Sequence, residues 1–223
     1  MSIEERKRLA AEAAAELVED GMRVGLGTGS TVAHLLPALA RRALQGVRYV
    51  ATSPETELQA RSLGLSVEPF RTLQALDLSV DGADQIAADG WVVKGGGGAH
   101  VREKIVAAAS SRFVIIADDS KLVERVSPPI PVELLSFGIA ATLARLAPAR
   151  VRSGAPPSPD GHVIADVLGP VDDPAAVSAR LDATPGVVGH GLFEPAIIST
   201  VVVAGPGGLV PFSPVSEGTG PPE

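Results

Sequence analysis

The chain has 223 residues and a formal net charge of −7, with 19 Lys and Arg against 26 Asp and Glu; phosphate-backbone binding needs a basic surface, so nucleic acid is not expected as a partner. Hydrophobic residues make up 45% but aromatics only 3%, so a core of Ala, Val, Leu and Ile is expected, in one large domain or a medium domain carrying a smaller one. No cysteine is present, which excludes disulfides, thiolate metal sites and a cysteine nucleophile.

Ser2 and Glu5 stand at capping-box spacing, and the Ala/Leu-rich run to about Asp20 predicts a helix stopped by Gly21. That segment carries charges where a signal peptide needs an apolar run, and no later stretch is long enough to span a bilayer. A cytoplasmic protein without a membrane partner is therefore expected. Residues 22–26 predict a strand, the GTGST turn follows at 27–31, and a helix is expected at 34–44 with Pro37 kinking it or shifting its start. Residues 47–52 predict a second strand. Ser53 and Pro54 supply an N-cap and a first-turn proline for a helix ended by Gly64. Residues 76–80 and 91–93 are strand-like, 99–109 helical, and FVIIA at 113–117 a buried strand. Strands alternating with helices predict an α/β fold, a doubly wound, mainly parallel, Rossmann-like sheet.

The pattern changes after Pro128. PPIPVELL is expected as a proline-punctuated connection, 137–146 as a helix, 150–152 as the start of a strand, and 153–162 as a turn-rich loop. A strand at 163–167, a helix at 173–183 with Pro174 in its first turn, and strands in GVVGHGLF and IISTVVVA complete an α+β pattern. The expected division is a catalytic domain of residues 1–129 plus about 200–212, a smaller α+β domain at 130–199, and a disordered tail at 213–223.

Chemistry-bearing residues concentrate between positions 81 and 104, DGADQIAADGWVVKGGGGAHVREK. Four consecutive glycines are costly to order, which is tolerable where bare backbone must approach a ligand closely. Gly95, Gly96, Gly97 and Gly98 would lead from a strand into a helix as a backbone nest, with Lys94 before it and Glu103 one turn inside the helix. Asp81 and Asp84 flank Gly82 and Ala83 at a strand-to-turn junction. GLGTGS fails the dinucleotide fingerprint, because its third glycine position holds Ser30 and no acidic residue closes the second strand. The same turn still joins a strand to a helix, where amides and the Thr28, Ser30 and Thr31 hydroxyls around Gly29 make an anion cradle. No His or further acidic residue completes a metal ligand set at useful spacing, and His100 is the one histidine near these residues.

GLGTGST, the TSPET and LGL segments, DGAD, KGGGGAHVREKIVA, IADDSKLV, PVE and PGVVGHGLF resemble, in order and spacing, ribose-5-phosphate isomerases of the A type. The resemblance covers the chain to about Gly205. It departs at Ser158–Pro159–Asp160–Gly161–His162, where the family usually has a TDNGN-like turn, and in the tail after Phe212. The resemblance implies interconversion of D-ribose 5-phosphate and D-ribulose 5-phosphate through a cis-enediolate, in the non-oxidative pentose phosphate pathway, with no cofactor and no metal. It implies a sugar phosphate as the small-molecule partner and assembly as a homodimer or homotetramer. Glu103 is then the base for the carbon-bound proton, and Lys94 with the glycine amides stabilises the enediolate. Asp81 and Asp84 are candidates for ring opening, with Asp84 favoured. The phosphate falls to Thr28, Gly29, Ser30 and Thr31 with a lysine, either Lys7 or Lys121. A non-catalytic sugar-phosphate sensor is the alternative, and it lacks the basic DNA-binding segment such a regulator would carry.

Overall fold

The computed structural model describes residues 1–71 and 73–210. The elements in chain order are α1 (Ile3–Ala15), β1 (Arg23–Leu26), α2 (Ser30–Arg42), β2 (Arg48–Ala51), α3 (Pro54–Ser62), β3 (Leu78–Gly82), β4 (Gln85–Ala87), β5 (Val92–Val93), α4 (His100–Ala108), β6 (Phe113–Asp118), β7 (Leu122–Val123), β8 (Ile130–Leu134), α5 (Ile139–Leu146), β9 (Ala149–Val151), β10 (Val163–Val167), α6 (Pro174–Asp182), β11 (Val187–His190), β12 (Leu192–Phe193), β13 (Thr200–Gly205) and β14 (Gly208–Val210). They form three sheets. The largest runs β14-β13-β6-β3-β1-β2, parallel except for the edge hairpin that β14 makes with β13.

Side chains alternate across a strand, and β6 sorts its own residues accordingly. Val114 and Ile116 join the core formed with Ala10, Ala11 and Ala14 of α1 and Leu35, Leu36 and Leu39 of α2. Phe113, Ile115 and Ala117 face the other way, packing with Ala107 of α4, Ile86, Val92 and Phe193. The sheet is thus covered on both faces, which explains why all six residues of β6 are buried. The alanine face of α1 lets that helix lie close on its neighbours. Gly25 does the same on the opposite face, since a Cβ there would run into Val106 of α4.

The second sheet is antiparallel, in the order β11-β8-β10-β9, and encloses its own core of Val132, Leu134, Leu146, Ala165 and Leu181. The PPIPVELL connection expected from its prolines is here an interior strand, β8. Pro131 fits because its carbonyl accepts from the Gly191 amide at 2.7 Å, past the last paired residue, His190. Its nitrogen faces that same side, where no ladder donor is required. The third sheet, β12-β5-β4-β7, was not anticipated beyond β5 and the GVVGHGLF strand. Its members are two or three residues long, too short to display a period.

The second helix also differs from expectation. It begins at Ser30, inside the GTGST turn, and continues past Pro37 to Arg42. Past β12 the chain joins the parallel sheet: β13 pairs in parallel with β6, Thr200 opposite Val114. The tail expected at 213–223 lies outside the described residues.

Candidate active site

Three strand ends converge on one open cleft of about 130 Å³, lined by Thr28, Gly29, Ser30, Thr31, Gly82, Ala83, Asp84, Lys94, Gly95, Gly96, Gly97, Glu103 and Lys121. The cleft lies at the carboxyl edge of the parallel sheet, where open α/β folds hold their ligands. At the end of β1 the chain turns through Gly29, with φ of +114°, into α2, which has no side-chain cap. Its first amides are therefore left to face an incoming anion. Thr28 Oγ1 does not cap the helix; it lies 2.8 Å from Thr52 Oγ1 at the end of β2.

Asp81 at the end of β3 and Lys94 just after β5 meet beneath the cleft. Lys94 Nζ stands 2.9 Å from Asp81 Oδ2 and 3.3 Å from Glu103 Oε2, and donates to the Gly82 carbonyl at 2.6 Å. All three side chains are at least 95% buried. Asp81 Oδ1 also accepts from the amides of Thr28 at 3.1 Å and Gly82 at 2.7 Å. This carboxylate presses so close to Gly27 that any side chain there would collide with it. The structure therefore places Asp81 under the cleft wall, in contact with Lys94, while Asp84 lines the cleft itself. Asp84 Oδ2 accepts from the Gly96 amide at 2.7 Å.

Glu103 reaches the cleft from the first turn of α4, and its Oε2 is buried with the Lys94 ammonium as its neighbour at 3.3 Å. Burial, then the charge of Asp81, pushes its carboxyl up to about 8, against the pull of Lys94. Burial works against the Lys94 ammonium, but Asp81 and Glu103 reverse that effect and hold it above the ordinary lysine value. The result is a carboxyl near neutrality in its titration and a lysine fixed as a cation beside it. A buried base with a pKa near working pH and a preorganised cation is suited to moving a proton on carbon next to a carbonyl.

Of the two lysines left open for the phosphate, Lys121 lines the cleft and Lys7 does not. Lys121 ends a short 3₁₀ turn, Asp119–Lys121, whose first amides are capped by Asp118 accepting from Ser120 at 3.0 Å. Lys7 pairs with Glu4 at 2.7 Å on α1. His100 is fully buried against Gly95, and burial pulls its imidazole down to about 3, so it is neutral. Lys104 points elsewhere, 3.3 Å from His190 Nδ1. Two contributors escaped sequence reasoning. Thr52 is legible only as a hydroxyl beside the Ser53 cap, and Phe193, whose ring centre is 5.6 Å from Lys94 Nζ, gives no local signal at all. Among the described residues no three His, Asp or Glu side chains gather as a metal site.

A family model described as ribose 5-phosphate isomerase A (phosphoriboisomerase A) matches residues 48–208. A ribose-5-phosphate isomerase A from Rhodopseudomonas palustris is 44% identical, over 94% of this chain and 97% of its own length. Among solved structures, ribose 5-phosphate isomerase A from Neisseria gonorrhoeae superposes with a TM-score of 0.91 at 31% identity, covering 96% of this chain and 99% of that one. The enzyme from Methanocaldococcus jannaschii gives 0.88 at 32% identity, covering 94% and 98%. Sequence and architecture agree over nearly the whole length, and the chain belongs to the ribose 5-phosphate isomerase A family.

Proposed function

We propose that the protein interconverts D-ribose 5-phosphate and D-ribulose 5-phosphate, with the proton on carbon carried by Glu103. The observation that carries this reading is the buried contact of Glu103 with Lys94 at the edge of a glycine-lined cleft. The family membership of the chain supports an enzyme over a non-catalytic sensor of the same ligand.

In the open-chain aldose, Glu103 takes the proton from C2. The C2–H electrons form the C1–C2 double bond, and those of the C1 carbonyl move onto O1. Glu103 then returns the proton to C1, where the C1–C2 π electrons form the new C–H bond, while the O2 hydroxyl proton passes to O1 and the O2–H electrons become the C2 carbonyl bond. One carboxylate serves both carbons because they are neighbours on the same face of a planar cis-enediolate. Lys94 and the Gly97 amide stabilise the negative oxygen, the Gly96 amide being held by Asp84; one such donor in a water-poor site is worth about 3–4 kcal/mol. Asp84, in the cleft, relays the proton that opens the furanose ring, and Asp81 holds Lys94 in place. The phosphate sits on the amides and hydroxyls of residues 28–31 with Lys121 as its counter-charge.

Residues 1–129 with the returning strand serve as the catalytic domain, and 130–199 as a second domain; in support, the antiparallel sheet draws all its strands from residues 130–190. Assembly as a homodimer or homotetramer goes with the reading. Its support here is Phe137, 91% exposed and two residues beyond the 44%-exposed Leu135, an apolar pair just past β8 that a second copy would cover.

The test is to mix the protein with ribose 5-phosphate in the presence of EDTA and follow ketose. Steady turnover is expected, together with its loss in Glu103→Gln while sugar-phosphate binding persists. Binding without turnover in the wild type would make the protein a sensor. Near-normal turnover in Glu103→Gln would remove Glu103 from the mechanism.

A further inference from the structure

We infer that Arg152, on the antiparallel sheet, is a positioning residue for the isomerisation: its guanidinium sets the orientation of the peptide planes of residues 95–97, whose amides face the cleft. The inference rests on the isomerase reading above.

The glycine segment has no side chains with which to fix itself, so its peptide planes must be held by their carbonyls. Arg152, directly after β9, supplies the hold. Its Nη1 donates to the Gly95 carbonyl at 2.9 Å and to the Gly96 carbonyl at 3.1 Å. Its other edge is clamped by Asp166 of β10, Nε to Oδ2 at 3.1 Å and Nη2 to Oδ1 at 2.6 Å. Four of the five guanidinium N–H groups are thus committed. The pair is largely enclosed, with side-chain exposures of 22% for Arg152 and 11% for Asp166. The planar fork fits both the carboxylate and the two carbonyls, which a lysine ammonium could not do together.

The geometry has a direct chemical effect. In a trans peptide the carbonyl of one residue and the amide of the next point in opposite directions. Drawing the Gly95 and Gly96 carbonyls toward Arg152 therefore turns the Gly96 and Gly97 amides toward the cleft. The Gly96 amide is the one that holds Asp84 at 2.7 Å. The Gly97 amide has no hydrogen-bond partner among the described residues and is left to meet a developing oxyanion. Gly95 permits the turn through its φ of +106°, and the Gly98 amide, donating to the Gly95 carbonyl at 3.1 Å, closes it. Arg152 touches no reacting atom in this arrangement; it acts through the backbone it grips.

The test compares wild type with Arg152→Ala, Arg152→Lys and Asp166→Asn by steady-state kinetics, thermal melting and the ¹⁵N–¹H resonances of the glycine amides. Removing an oxyanion donor outright costs about 10²–10³ in kcat, so misaiming one should cost about 10–100-fold. That loss is expected in kcat for Arg152→Ala and Arg152→Lys, with KM changed less than about threefold, a smaller loss in Asp166→Asn, and partial rescue of Arg152→Ala by added guanidinium. Wild-type kcat in Arg152→Lys, or losses that track the fraction unfolded, would overturn the inference. The Gly96 and Gly97 resonances provide a readout independent of turnover. They should shift or broaden in folded Arg152→Lys, and unchanged resonances would also overturn it. Absence of turnover in the wild type, by contrast, would count against the isomerase reading alone.

Discussion

In the proposed reaction Glu103 removes a proton from carbon, and a carboxyl at its ordinary pKa would be a poor base for it. Burial and the neighbouring Asp81 raise it to about 8, so activity should depend on its ionisation. We expect kcat/KM to climb with pH through about 8 and then level off, measured with substrate well below KM. Folding stability should move the other way. The unfolded glutamate loses its proton near 4.5 and the folded one near 8, so the native state holds more protons between those values. Stability is then fully present below about 4.5 and falls as pH rises toward 8. Thermal melts of Glu103→Gln should lack that slope; a Glu103→Gln melting curve that follows wild type across pH 5–9 would contradict the raised pKa. Most of this site was legible as a list of residue types at particular spacings. What the spacing could not reveal was burial, and burial separates Asp81, sealed beneath the cleft with Lys94, from Asp84 inside it. The choice between Lys7 and Lys121 was likewise a matter of which way each side chain points.

The elements that build the site follow from local rules. A short apolar strand, a glycine-rich turn and an alanine-rich helix announce themselves, and β1, β2, β3, β6, α3 and α4 stand near their expected positions, while α1 ends at Ala15, short of the expected Asp20. The failures have common physical causes. Pro37 neither delays the start of α2 nor ends it, because the helix is buried along Leu35, Leu36 and Leu39, and packing overrides propensity. β8 was hidden by prolines that are harmless once the neighbouring ladder has ended. β4 and β7 are too brief to carry any pattern and exist because of the partners around them. The close turn at Gly27 offers a test at this scale. Gly27→Ala drives a methyl into the Asp81 carboxylate, overpacking that should cost about 1–3 kcal/mol of stability. Because Asp81 carries Lys94, kcat should fall as well, and by more than the folded fraction does. A variant with wild-type melting and turnover would show that Asp81 has room to move.

At the scale of the whole molecule, all three sheets serve the cleft, the short third one by placing Lys94 after β5. The parallel sheet delivers residues to it from the ends of β1 and β3, and the antiparallel sheet reaches it through Arg152. No helix among the described residues is long and apolar enough to cross a membrane. The surface expected to join copies has its own test: Phe137→Glu should shift sedimentation toward smaller species at micromolar concentration while leaving the fold intact. Unchanged sedimentation would move the interface away from the residues after β8. The acidic chain, at −7, also takes an anionic substrate, and the buried contact of Lys94 with Asp81 and Glu103 makes this tractable. With all three groups ionised, that cluster holds one more negative charge than positive. If Glu103 accepts the proton from carbon, as proposed, the cluster becomes neutral, and the charge it gives up appears on the enediolate oxygen. The reaction thus relocates a charge already lodged in the protein interior, and Lys94 stays within reach of it before and after the transfer.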